Sequence, residues 1–442
     1  MGNAAFTVAA FLLALSIIIT VHEYGHYIVG RWSGIHAEVF SLGFGPVIWA
    51  RTDKRGTQWQ VALVPLGGYV KFLGDGDAAS ATADEGFLEH IAHAEREKEL
   101  RRSLMGAPLW ARSATVAAGP VFNFVLAALI FAGVFFHQGV AIEPPTVGTL
   151  AASEGGSGDL RPGDQIVSIG GVETPDYRAV YNLSDQIDPV AWLDYSVLRD
   201  GQPITVTGPW PFPATVSGLL PGHPAINAGM EVGDLVIAID GKPTVGFSDL
   251  QAIVWSSEGR EMAFSVRRDG DTIEIPITPR LSDSQGEDGS FQARFLTGIS
   301  GGDLAFDPAT EPRGAVSALL RGAEEVGNTI TGSLAMLKSI VTGEASHCNL
   351  RGVIGIAEAS GDMAAQGAQS FIAFIALLSA AVGLLNLFPI PVLDGGHLVF
   401  HAWELVARKP PPEKVVQIMM GLGLLIIVAL MAFALGNDLL CP

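Results

Sequence analysis

The sequence predicts a polytopic α-helical membrane protein in which four transmembrane helices carry a membrane-associated β-hairpin and two tandem β-rich domains. Three observations lead there. Four apolar stretches, 5–28, 114–136, 371–388 and 415–435, each approach the roughly 20 residues a helix needs to cross the hydrocarbon core. Two alternating, glycine-bearing runs follow the first stretch, and a glycine-aspartate motif recurs about 70 residues apart between the second and third. With 49% hydrophobic and 16% charged residues in 442, and a mean hydropathy of +0.37, the chain is more apolar than a soluble enzyme of its length.

The first stretch has a secretory signal as its rival, but Met1 to Ala4 holds no Lys or Arg and no small-residue cleavage site precedes His22. Near its end stands His22-Glu23-Tyr24-Gly25-His26. On a helix the i, i+4 spacing puts both imidazoles on one face, where they can grip one Zn²⁺ with Glu23 beside it. Ionisable residues inside a membrane are costly and functional by default. The bland alternative is a pair of interfacial histidines that happen to align.

Residues 38–51 and 58–72 alternate around a polar turn at 52–57 and read as a hairpin carrying Gly43, Gly45, Gly67 and Gly68. It can dip into the membrane where protein or water covers its backbone. An ordinary cytoplasmic hairpin fits the pattern equally well. The charged segment 75–102 reads as a surface helix or mobile insert.

Basic residues orient the spans. Those between the first two stretches, such as Arg31, Arg51, Arg101 and Arg112, and Arg408, Lys409 and Lys414 between the last two, mark these loops as cytoplasmic. The segment 137–370 holds 13 Lys/Arg against 30 Asp/Glu, so it carries most of the net charge of -19 and faces the other side with both termini. That balance argues against nucleic-acid binding and for an exported, aqueous environment.

Within the exported segment Arg161-Pro-Gly-Asp-Gln-Ile-Val-Ser-Ile-Gly-Gly171 aligns with Glu231-Val-Gly-Asp-Leu-Val-Ile-Ala-Ile-Asp-Gly241, and Val197-Leu-Arg-Asp-Gly201 with Val266-Arg-Arg-Asp-Gly270. Each copy has a Gly-Asp turn entering an apolar strand and a later Asp-Gly hairpin. Residues 315–341 have helical apolar spacing with Arg321, Glu324 and Glu325 on the polar side, as expected of an amphipathic helix at the membrane surface; a plain soluble helix stays open.

Asp394 follows the third stretch and precedes Gly395 and Gly396. A carboxylate there can turn back towards a metal without meeting lipid, although these residues read as well as an Asp-Gly turn ending the helix. His397 and His401, also at i, i+4, compete as ligands but have no Glu between them. Pro389 and Pro391 break the third helix nearby. Cys348 and Cys441 are the only cysteines, which excludes a disulfide framework and a Cys-rich zinc site and leaves their pairing undetermined.

Four features in this order resemble the site-2 protease family of intramembrane zinc metalloproteases, over nearly the whole chain: His22-Glu23-Tyr24-Gly25-His26, Gly119-Pro120-Val121-Phe122-Asn123, the tandem repeat with its PDZ-like Gly-Asp turns, and Asn386-Leu-Phe-Pro-Ile-Pro-Val-Leu-Asp-Gly-Gly396. The resemblance implies a Zn²⁺ held by His22, His26 and Asp394, with Glu23 as general base. Asn386 is a candidate oxyanion or substrate-backbone donor, with an interhelical hydrogen bond as its alternative; Asn123 has the same ambiguity, packing being favoured. It further implies a multi-pass bacterial inner-membrane endopeptidase acting within the bilayer on membrane-spanning proteins, such as an anti-sigma factor or remnant signal peptides, with the zinc site near the cytoplasmic side and two periplasmic PDZ-like domains that take peptide ligands and gate access.

The expected divisions are 1–30, first span and zinc motif; 31–113, cytoplasmic loop with hairpin; 114–137, second span; 138–210 and 211–282, PDZ-like domains; 283–366, linker and amphipathic helix; 367–400, third span and third ligand; 401–442, cytoplasmic loop and fourth span. Two departures from the family pattern are noted: no Ala-Gly precedes the Gly-Asp turn at 154–159, and Val353 stands where proline is common. The rival functions are a non-catalytic PDZ-bearing adaptor with a vestigial metal site, and a metal or proton carrier, which would want more polar residues in the second and fourth spans.

Overall fold

The computed structural model describes residues 4–74, 96–150, 156–285 and 291–441; most of the charged segment 75–102 lies outside them. Four of the described helices are long and apolar enough to cross a membrane: Ala4–Trp32, Leu109–Gln138, Ala368–Asn386 and Glu413–Leu440. Small side chains set the crossings of the first three. Ala14 and Ile18 pack with Ile375, and Ala127 packs with Ala376 and Ala380. Where no water drives helices together, such residues let backbones approach and gain dispersion contacts.

The helix Ala315–Thr342 joins the second of these clusters through Val326, and its Gly322 sits against the backbone of Ala128 and Ala132. It therefore packs directly on the second and third spanning helices. The fourth spanning helix is mostly exposed and is tied at two places. Gly423 meets Pro391 and Val392. At its far end Asn437 Nδ2 donates to the carbonyls of His347 (2.8 Å) and Leu350 (3.2 Å), the Asp438 carboxylate accepts from the N–H groups of Gly352, Ile354 and Gly355 at the start of the helix Val353–Ala365, and Cys441 forms a disulfide with Cys348. A carboxylate on the free N–H groups of a helix start is a favourable cap.

Strands Ala37–Thr52 and Gln58–Phe72 pair antiparallel. The base of this hairpin is buried with Tyr27 through Phe40 and Phe72, whereas Val47, Ile48, Trp49, Leu63 and Leu66 farther along are exposed.

The repeat appears as two four-stranded sheets of the same order. In one, Val172–Glu173, Gln165–Ile169, Trp192–Arg199 and Gln202–Pro209 lie side by side; in the other, Lys242–Pro243, Leu235–Ile239, Met262–Arg268 and Asp271–Ile277. Matching residues fill the two cores: Ile166, Ile169, Tyr195 and Val197 in the first, Val236, Ile239, Phe264 and Val266 in the second. Each Gly-Asp turn has the same partner. Asp164 is gripped by Arg199 Nε and Nη2, both at 2.7 Å, and Asp234 by Arg268 Nε and Nη2, both at 2.6 Å. Both arginines come from the Arg-Asp-Gly hairpins, so the two repeated motifs are halves of one bidentate ion pair.

Residues 299–311 stitch these units together. Ile299–Ser300 pairs with Gly218–Leu219 of the second unit; Phe306 is buried in the core of the first; Asp307–Pro308 and Thr310–Glu311 pair with Val147–Thr149 and Val140–Ala141. This segment falls in the expected linker 283–366. Its two-residue strands carry no periodicity that a sequence pattern can register.

Candidate active site

The histidine-bearing helix Ala4–Trp32 meets the chain beyond Asn386 at Asp394, which lies against His22 and His26. The third spanning helix stops at Asn386 because Pro389 and Pro391 cannot continue it, and a new helix, Asp394–Ala407, begins at the carboxylate. Gly395 and Gly396 permit the tight reversal: a Cβ on either would stand 2.3 Å from a carbonyl oxygen of Leu387, Phe388 or Ile390. Arg112 holds the new helix from the second spanning helix by a bidentate pair with Glu404, at 2.6 and 3.0 Å.

The result is a cluster of three ligand atoms. His22 Nε2 lies 3.2 Å from His26 Nε2 and 3.2 Å from Asp394 Oδ2, and His26 Nε2 lies 3.6 Å from Asp394 Oδ2. The Nδ1 atom of His26 is 2.8 Å from the Thr115 carbonyl, which can only accept, so the proton of a neutral ring sits on Nδ1 and Nε2 carries a lone pair. Asp394 Oδ2 is buried and accepts no hydrogen bond of acceptable geometry. A lone pair facing an unpaired carboxylate oxygen calls for a cation between them. Ligands about 2.0–2.2 Å from a tetrahedral centre lie roughly 3.3–3.6 Å apart, so the three observed edges are close to those of a zinc site. Room for the two rings comes from Gly119 on the second spanning helix, where a Cβ would stand 2.3 Å from His26 Nε2 and 2.8 Å from His22 Cε1.

Glu23 sits beside the cluster under the second strand of the hairpin, where Gly68 lies close over its Cγ and Val70 lines the same cavity. A cavity of about 420 Å³ joins His22, Glu23, His26, Asn386 and Asp394.

Residues 10–430 match the profile of peptidase family M50. The chain belongs to this family of site-2 proteases. Among its relatives, a protein of Agrobacterium fabrum whose name gives it as a zinc metalloprotease is 34% identical over 432 residues, covering 98% of this chain and 95% of its own. The regulator of sigma-E protease RseP of Escherichia coli is 32% identical over 459 residues, covering 97% of each, and that of Salmonella typhimurium is 31% identical over 470 residues, covering 99% of each. M50 membership makes the chain a zinc metalloprotease of the intramembrane type that acts on membrane proteins, and removes the adaptor and carrier alternatives.

In this M50 protease the structure brings His22, Glu23, His26 and Asp394 together and sets Asn386, the last residue of the third spanning helix, on the cavity they line. His397 and His401 line the same cavity outside the three-atom cluster. His401 Nδ1 is 3.2 Å from Ser113 Oγ, and burial, reinforced by Arg112 and His397, pushes its pKa down to about 4. Thr115, Gly119 and Arg112 carry no signal in the sequence that assigns them to the site. The Gly119-Pro120 motif marks the region, but nothing local reveals a backbone facing two imidazoles.

Proposed function

We propose that His22, His26 and Asp394 hold the zinc of this protease, that Glu23 is its general base and that Asn386 binds the oxyanion or the substrate backbone. The observation that carries this is the convergence of the three ligand atoms next to a carboxylate in one cavity. Zinc bound there polarises a carbonyl and lowers the pKa of water. Glu23 takes a proton from the water that attacks the scissile carbonyl carbon, and returns it to the departing amine nitrogen as the C–N bond breaks. Asn386 offers an amide N–H where charge develops on the former carbonyl oxygen.

The substrates are single-span proteins, an anti-sigma factor or remnant signal peptides among them. A helical backbone has its carbonyls paired and must unwind before hydrolysis. The strand carrying Gly67, Gly68, Tyr69 and Val70, already over Glu23, offers an edge on which the unwound segment can pair by β-addition. The exposed apolar side chains of the hairpin support its insertion into the membrane face.

The orientation is an inner-membrane one, with the zinc site towards the cytoplasm and the two β units, read as PDZ-like domains that take peptide ligands and filter substrates, in the periplasm with both termini. The acidic balance of 137–370 supports it, as does the disulfide Cys348–Cys441, a bond of oxidising compartments. The test is Glu23→Gln in full-length protein: zinc is retained and cleavage of a single-span reporter is lost. Cleavage by the variant at the wild-type rate would remove Glu23 from the chemistry.

A further inference from the structure

We infer that Asn123 is a positioning residue for the metal site: its side-chain carbonyl accepts the Nδ1 proton of His22 and so presents the Nε2 lone pair of that ring to zinc. This rests on the reading of His22 as a zinc ligand. The two imidazoles are held by the same helix but not by equivalent groups. His26 Nδ1 faces the Thr115 carbonyl, a pure acceptor that allows one tautomer. His22 Nδ1 faces the side-chain amide of Asn123, two helical turns farther along, with Nδ2 at 3.2 Å. An amide can serve either tautomer, so its orientation decides which nitrogen of His22 carries the proton.

With Nδ2 towards His22, the amide donates to Nδ1, the ring proton moves to Nε2, and the ligand lone pair is gone. The same orientation leaves Asn123 Oδ1 buried without a partner, in a residue with no exposed surface. A buried carbonyl left without a donor is costly, because it has given up water and gained nothing in return. A half-turn about the Cβ–Cγ bond exchanges Oδ1 and Nδ2 and leaves the rest of the side chain in place. It sets Oδ1 against Nδ1–H, gives the orphaned oxygen a donor and frees Nε2 for the metal. The third spanning helix holds the backbone of Asn123 in place, since Ser379 Oγ donates to its carbonyl at 2.9 Å and Gly383 lies against its Cβ. The outer hydrogen bond of a metal-bound histidine fixes tautomer and ring angle, and its loss typically lowers metal affinity about 10–100-fold.

The experiment measures zinc affinity of the full-length, detergent-solubilised protein by competition with a chelating dye, without reference to activity. Asn123→Leu fills the volume and accepts nothing, and is expected to weaken zinc binding about 10–100-fold. Asn123→Asp is isosteric and only accepts, and is expected to hold zinc within about threefold of wild type. A packing role would make the two variants alike in zinc affinity. Wild-type affinity in Asn123→Leu, or an equal loss in Asn123→Asp, overturns the inference; should the leucine variant fail to accumulate, the aspartate variant decides alone. His22→Ala separates the two claims: if it binds zinc as wild type does, the ligand assignment itself fails, whereas loss in His22→Ala with none in Asn123→Leu defeats only the role of Asn123.

Discussion

Asp394 Oδ2 stands 3.2 Å from His22 Nε2, although the two residues come from opposite ends of the chain. Two helices and a proline-broken turn must hold their places for that contact to exist, so the site is sensitive to packing at residues that touch no substrate.

Gly119 is one. A methyl group there would overlap both imidazoles, at 2.3 Å from His26 Nε2 and 2.8 Å from His22 Cε1. Gly119→Ala is expected to lower zinc affinity at least tenfold and activity about a hundredfold. Gly133→Ala on the same helix, where a Cβ would meet nothing within 4 Å, is expected to leave both unchanged. Zinc content and reporter cleavage of the two variants, side by side, check this.

The Arg112–Glu404 pair is a second. It anchors the helix that begins at Asp394 to the second spanning helix. Both members are mostly buried, so removing one leaves the other charge unpaired, at a cost of about 3–5 kcal/mol for a fully buried pair and less here. Glu404→Gln is expected to lower kcat several-fold and to reduce thermal stability, with the Arg112→Met, Glu404→Met double variant recovering much of the stability. Melting temperatures across this cycle measure the coupling.

How much of this site is legible in the sequence? His22, Glu23 and His26 lie within one helical turn of each other, so spacing alone aligns them. Asp394 is different, because an Asp-Gly turn is an adequate account of those residues until the distant helix is placed beside them. The spans and the repeat are readable because hydropathy and period are local or recurrent properties. The ion pairs inside the repeat are not, although both halves, Asp164 and Arg199, belong to the aligned motifs. Pairing of Cys348 with Cys441 needs the end of the fourth helix to be located, and the strands at 299–311 are too short to carry a pattern.

The repeat pairs make a pH prediction. Asp164 is buried, which would raise its pKa, but the Arg199 guanidinium and the Arg161 backbone N–H outweigh burial and hold it below the usual carboxylate range. The unfolded state therefore binds the proton more readily, and the stabilisation is fully present above the unfolded pKa of about 3.9. It is lost as pH falls through the lower folded value. Denaturant unfolding of wild type is expected to lose stability below about pH 4 more steeply than Asp164→Asn, which should start weaker and change less.

The disulfide makes a prediction about compartment. It closes a separation of 93 residues at the end of the fourth spanning helix. Reduction, or Cys348→Ser with Cys441→Ser, is expected to lower stability by about 2–4 kcal/mol. In cells, a membrane-impermeant maleimide is expected to label these cysteines only after reduction and only from the periplasmic face. Labelling from the cytoplasmic face would reverse the proposed orientation.

Zinc K-edge X-ray absorption on the purified, zinc-loaded full-length protein, compared with Asp394→Asn, probes the ligand set itself. The expected wild-type spectrum has two imidazole nitrogens and a carboxylate oxygen at about 2.0–2.2 Å, with the oxygen contribution altered in the variant. Three or four imidazoles in wild type, bringing in His397 or His401, together with a spectrum indifferent to Asp394→Asn, would contradict the ligand set proposed here.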